Sequence, residues 1–190
     1  MHTQTVFKLV PTLLATTFVA LACEQSPNPE APKRPDFSVQ GGQTDRITGG
    51  GKLGDGRDFA TFGFNARDGQ GEFEWVQHCL DGAPSVPNCA LGGFTFHGST
   101  VTDYGTAPDN PTHCRAWSGE GEAKFKNGAP TGTTAFSVEA CDLGTPGRAT
   151  DFICFTFSTY TRSDFLAGGN IQLHEGTVEP ALAACPAIPF

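Results

Sequence analysis

Two aspartates bracket a glycine- and proline-bearing turn, Asp142-Leu143-Gly144-Thr145-Pro146-Gly147-Arg148-Ala149-Thr150-Asp151. Calcium takes several oxygen ligands, and two carboxylates with loop carbonyls supply that chemistry. The spacing fits no EF-hand and no repeat-type calcium loop. The same residues also serve a turn, with the aspartates accepting backbone N–H groups while Gly and Pro set the dihedrals. The expectation is a chain with no obligatory cofactor, in which calcium at Asp142 and Asp151 is the metal candidate. Asp55 and Asp58, in GDGRD, form a second pair of the same kind.

Glu72 with Glu74, and Glu120 with Glu122, lie two residues apart. On strands each pair shares a face, as the two carboxylates of a glycosidase could, and a solvated sheet face carries the same pattern. No G-x-S-x-G elbow, H-E-x-x-H helix or glycine-rich loop leading into a helix is present. Downstream of the leader, His78, His97, His113 and His174 make no i+2 or i+4 pair, and oxidised cysteines leave no thiolate to complete a zinc site. The residues therefore describe a protein that is not an enzyme. A small cell-envelope hydrolase using paired carboxylates is the alternative.

Seven cysteines stand at 23, 79, 89, 114, 141, 154 and 185. Lys8 is followed by LVPTLLATTFVALA, an apolar run of export-signal length ending in small residues before Cys23. Ala20-Leu21-Ala22 suits ordinary signal peptidase, whereas Leu21-Ala22-Cys23 resembles a lipoprotein box. A lipid on Cys23 leaves six cysteines, an even set that an oxidising compartment can pair completely. The expectation is an exported lipoprotein at the cell surface or outer membrane, otherwise secreted, touching the membrane only through its lipid. Cys79–Cys89 is the simplest pairing, closing the loop CLDGAPSVPNC. Placing residue 140 opposite 155 would set Cys141 across from Cys154, which leaves Cys114–Cys185 by elimination. Six cysteines allow fifteen connectivities, so each could also pair elsewhere. The formal net charge of −8 argues against a nucleic-acid partner.

These residues must be positioned by strands. With 24 glycines, 14 prolines and 16 phenylalanines in 190 residues, the chain reads as one β-rich domain with appendages. Residues 1–22 read as signal peptide and 23–44 as anchor cysteine and Pro-rich tether. Residues 45–176 read as the β-domain, and 177–190 as a tail packed on it. Ala60, Phe62, Phe64 and Ala66 alternate with small or polar residues, and Asp68-Gly69 suits a two-residue type I′ turn. Pairing Arg67 with Gln70 sets Phe64 opposite Phe73 and Phe62 opposite Trp75, with every large aromatic on one face. Trp117, Tyr104 and Tyr160 read as core. Cys114 to Lys126 reads as a strand interrupted at Gly119 and Gly121, where bulges are expected. Phe136, Val138 and Ala140 share a face, as do Ile153, Phe155 and Phe157. The fold class is all-β: a single antiparallel β-sandwich or flattened barrel of eight to ten short strands, disulfide-reinforced.

Four blocks in order, ITGGG at 47–51, FATFGFNARDGQGEFEWVQH at 59–78, DLGTPGRATDF at 142–152 and LAGGNIQLH at 166–174, resemble the post-COAP family of extracellular bacterial β-domains. The resemblance implies a compact secreted β-domain and little chemistry. Cys141 and Cys154 depart from the family pattern. The expected role is a non-catalytic binding or structural module on the cell envelope, with a glycan or protein as partner.

Overall fold

A computed structural model describes residues 44–79, 87–126, 128, 130–181 and 185. The leader, Cys23 and all of the tether except Thr44 lie outside the described residues. The described chain forms ten strands: β1 (Arg46–Leu53), β2 (Asp58–Arg67), β3 (Gln70–Cys79), β4 (Phe94–Gly98), β5 (Asp103–Thr106), β6 (Cys114–Phe125), β7 (Pro130–Cys141), β8 (Phe152–Phe157), β9 (Tyr160–Phe165) and β10 (Gly168–His174). All are antiparallel and belong to one sheet of order β10-β1-β2-β3-β4-β6-β7-β8-β9, with β5 added beside β6. Among the described residues the only helical piece is a 3-10 turn at Pro87–Cys89. The all-β expectation holds as one curled half-barrel, not two facing sheets. Its edge strands β9 and β10 are joined through Leu166 and Ala167 alone. β6 and β7 are longer than the short strands expected, at twelve residues each.

The β2–β3 hairpin has the register its turn dictates, with Arg67 opposite Gln70, Phe64 opposite Phe73 and Phe62 opposite Trp75. Their side chains enter the core with Phe96, Trp117, Phe136 and Phe155. Tyr104 and Tyr160 are buried there too. Burial of this kind contributes about 1.5–3 kcal/mol for each large side chain, so the concave interior is the main source of stability. β1 crosses that interior on glycines. A Cβ on Gly49 would stand 2.7 Å from the Phe64 ring, and one on Gly51 3.3 Å from the Phe62 ring. Gly49 and Gly51 of ITGGG therefore make room for the aromatics of the neighbouring strand, while Gly50 lies on the other face.

Gly119 and Gly121 follow the same logic and correct the expected interruption. β6 runs unbroken through both, and the register shift falls later, between Glu122 and Lys124. A Cβ on Gly121 would lie 2.5 Å from the His97 carbonyl oxygen and 2.7 Å from the Phe96 ring. One on Gly119 would run into the Thr100 carbonyl oxygen and lie 2.9 Å from the Phe136 ring. These glycines admit a close-lying backbone and a ring instead of bending the strand.

Two of the three expected disulfides are different. Cys79–Cys89 forms as expected, but the others are Cys114–Cys141 and Cys154–Cys185. In β7–β8 Ala140 faces Ile153 and Val138 faces Phe155, a register two residues away from the one that would join Cys141 to Cys154. Cys141 instead stands across from Cys114 on β6. A shift of two leaves every side chain on its expected face: Val138, Ala140, Ile153 and Phe155 still point inward, and the cysteines outward.

On that outer face a smaller core gathers Ala107, Ala116, Phe152 and Ala181 around the two disulfides. A strap after β10 covers it. Thr177 bridges to Thr44 and Pro180 to Thr106, Ala181 N donates to Thr106 O, and Cys185 joins Cys154. The disulfide that anchors this strap is made to Cys154 on β8 and not to Cys114.

Candidate functional site

The turn with the calcium candidates lies along the free edge of β10. Asp151 is fully buried. Its Oδ1 accepts the N–H groups of Leu143 (3.0 Å) and Gly144 (3.3 Å), and its Oδ2 accepts that of Ile171 (2.7 Å). Asp142 Oδ2 accepts the N–H of Leu173 at 2.9 Å. Ile171 and Leu173 belong to β10, so the two aspartates satisfy donors on an edge strand that has no further strand beside it. A cation at Asp151 would have to displace the hydrogen-bond donors already directed at both of its oxygens. Beside the turn lies a recess of about 290 Å³, lined by His113, Asp142, Leu143, Gly144, Leu173 and Glu175.

Asp55 and Asp58 do not act together. Asp55 makes an exposed ion pair with Lys52 at 2.9 Å. Asp58 accepts Arg162 Nη1 at 2.6 Å, Gln77 Nε2 at 2.8 Å and Asn88 Nδ2 at 3.1 Å. Against the cost of burial, the hydrogen bonds from Asn88 and Arg162 and the Arg162 charge hold its carboxyl below the usual range. Tyr160 and Trp75 extend this network within the barrel, the Tyr160 hydroxyl donating to Gln77 Oε1 at 2.6 Å. A second buried pair joins Arg115 to Asp45 through bonds of 2.8 and 2.7 Å, with the Tyr104 hydroxyl donating to Asp45 at 2.6 Å. Burial works against the Asp45 carboxylate too, and Arg115, Tyr104 and the Gly176 N–H together hold its pKa down. Both pairs are internally satisfied, which suits structural ties between distant strands. Sequence reading missed Arg115 and Arg162. The signal was their parity, since each lies two residues from an inward aromatic, Trp117 and Tyr160.

The paired glutamates all lie exposed on the outer face. Glu74, His97 and Glu122 are cross-strand neighbours in one row over β3, β4 and β6, with His97 Nδ1 3.5 Å from Glu74 Oε1. Two strand spacings separate Glu74 from Glu122, about 9.5 Å. The row continues past Glu74 to Gly63 and Gly50, which offer bare backbone. In the adjoining row Glu72 borders a recess of about 380 Å³, lined with Asn65, Arg67, Gln70, Gly71 and Ser99, in which Arg67 donates to Gln70. The result is an open polar floor without an enclosing wall. The remaining histidines are spread out: His78 stacks on Phe59 at 4.1 Å, and His174 lies 3.5 Å from Thr48 Oγ1.

Among the described residues, one group of three ligand-type side chains converges: Cys114, Glu139 and Cys141. Its two sulfurs are one disulfide, so no thiolate is offered to a metal. Glu139 was not singled out in the sequence, because it reads as an outward residue of β7. The strap that covers it lies 38 to 46 residues downstream.

Compared with known proteins, the chain matches no family model, no curated protein and no solved structure.

Proposed function

We propose that this chain is an exported, surface-anchored module that binds without catalysis, and that the outer face of β2, β3, β4 and β6 is its binding face. The observation that carries this is the row Glu74–His97–Glu122 set beside the bare backbone of Gly63 and Gly50 and running toward the polar recess at Glu72. A flat floor flanked by acceptors suits a neutral, hydroxyl-rich ligand, and the acidic balance of the chain disfavours polyanions. A cell-envelope glycan has that chemistry. The four-block resemblance to post-COAP domains and the three disulfides, compatible with an oxidising compartment, support the same reading. A lipid on Cys23 and the Pro-rich tether would hold the module off a membrane.

The test is a glycan array followed by calorimetry with Gly63→Trp. A Cβ at Gly63 meets nothing within 4 Å, so the bulky residue should leave melting unchanged while weakening binding at least about tenfold, or about 1.4 kcal/mol. Unaltered binding in Gly63→Trp and in Glu74→Gln would end the proposal. The alignment of Glu74 with Glu122 favours one other reading, the carboxylate hydrolase. It requires turnover of a glycan that is lost in both Glu74→Gln and Glu122→Gln.

A further inference from the structure

Glu139 is 1% exposed, and its Oε1 has no hydrogen-bond partner among the described residues. It faces Ala116 from β6 and Cys154 from β8. Its carboxyl lies within 4.8 Å of both sulfurs of Cys114–Cys141. Asp109, from the segment between β5 and β6, adds a negative charge nearby, and the strap contributes the backbone N–H of Cys185. Burial first, then Asp109, pushes the Glu139 pKa up to about 7, so the docked strap covers a carboxyl that is largely neutral below that pH.

Among the described residues, two backbone hydrogen bonds tie the strap to β5. Thr106 N donates to Glu179 O at 3.0 Å and Ala181 N to Thr106 O at 3.1 Å. Gly105 permits this approach, because a Cβ there would run into Glu179 O and Ala181 N. Beyond Ala181 the described attachments are the Cys154–Cys185 disulfide and the Cys185 N–H on Glu139. Cys185 is the more exposed of the two sulfur-bearing residues, at 7% against 1% for Cys154.

We propose that residues 177–181 and Cys185 form a redox-released latch, in which opening Cys154–Cys185 frees the strap and lets Glu139 ionise into solvent, uncovering Cys114–Cys141. The reductant is a dithiol. One thiolate attacks Cys185 Sγ, the sulfur–sulfur bond breaks, and Cys154 leaves as a thiolate that takes a proton from water. The second thiol of the reductant then attacks the mixed disulfide, Cys185 leaves and is protonated, and the dithiol departs as a cyclic disulfide. Two electrons pass to the protein, and at neutral pH the proton of Glu139 passes to solvent. An ionised Glu139 favours the released strap, so opening becomes easier as pH rises.

The experiment uses the full oxidised chain, dithiothreitol and alkylation with peptide mapping across pH 5.5 to 8, comparing wild type with Glu139→Gln at each pH so that the reductant's own ionisation cancels. The ratio of Cys154–Cys185 opening rates, wild type over variant, should rise at least about tenfold from pH 5.5 to 8, since the ionised fraction of a carboxyl with a pKa of about 7 rises about thirtyfold over that range. Cys114–Cys141 should open only in molecules already open at Cys154–Cys185. A flat ratio, or Cys114–Cys141 opening first, overturns the latch. Gly105→Ala supplies a test that spares Glu139: it should speed opening of Cys154–Cys185 several-fold at every pH while Cys79–Cys89 opens at its wild-type rate, and an unchanged rate likewise overturns it.

Discussion

Asp151 has donors on both carboxylate oxygens and carries three backbone N–H groups from two parts of the chain. Without it the buried Ile171 N–H is left unsatisfied, at about 1–3 kcal/mol, and the part-buried N–H groups of Leu143 and Gly144 lose their acceptor at a smaller cost. Asp151→Ala should therefore cost about 2–4 kcal/mol, read as a lower urea midpoint. The loss should be the same with calcium and with chelator, because the groups converging on Asp151 are donors. If calcium instead raises the wild-type midpoint and Asp151→Ala removes that gain, the aspartates are ligands after all. The contrast with Asp55 is instructive at the same scale. Asp55 is an exposed partner of Lys52, and a pair of that kind contributes little to stability.

At the scale of the strand, glycine has opposite meanings on the two faces of the sheet. Gly121 on β6 faces the Phe96 ring, whereas Gly63 on β2 faces open space. Gly121→Ala should destabilise by about 1–3 kcal/mol through overpacking. Gly63→Ala should be neutral or stabilising by about 0.5 kcal/mol, because it removes chain entropy from the unfolded state. Matched urea titrations check both, and equal losses would contradict the assignment of faces. The β2–β3 register was legible beforehand because Asp68-Gly69 forces a two-residue turn and the aromatics agree with only one pairing. The β7–β8 register was not. Its ten-residue connection imposes no register of its own, and a shift of two preserves every face, so alternation cannot detect it. The wrong pairing of Cys141 with Cys154 followed directly, and Cys114–Cys185 fell with it. Glu139 was illegible for a related reason. A strand pattern gives the direction of a side chain but not whether a distant segment returns to cover it.

Across the whole molecule, buried carboxyls of opposite character set how stability varies with pH. Asp45 and Asp58 are held below their ordinary value of 3.8 by buried arginine partners, so their stabilisation is present above that value and lost as pH falls through the lowered pKa. Glu139 works the other way. Its pKa rises from 4.5 in the unfolded chain to about 7 in the fold, so the unfolded state binds fewer protons between those values. Its contribution is complete below 4.5 and is lost as pH rises through about 7. A shift of that size corresponds to about 3 kcal/mol at 1.36 kcal/mol per unit. Stability should then peak near pH 4 to 5, between the two limbs. From pH 5 to 8, urea unfolding of the wild type should lose about 2–3 kcal/mol. Glu139→Gln, with no charge to bury, should remove this neutral limb and leave the acidic limb in place. Superimposable profiles for the two proteins would mean that Glu139 reaches water in the native state, so that the strap does not seal it.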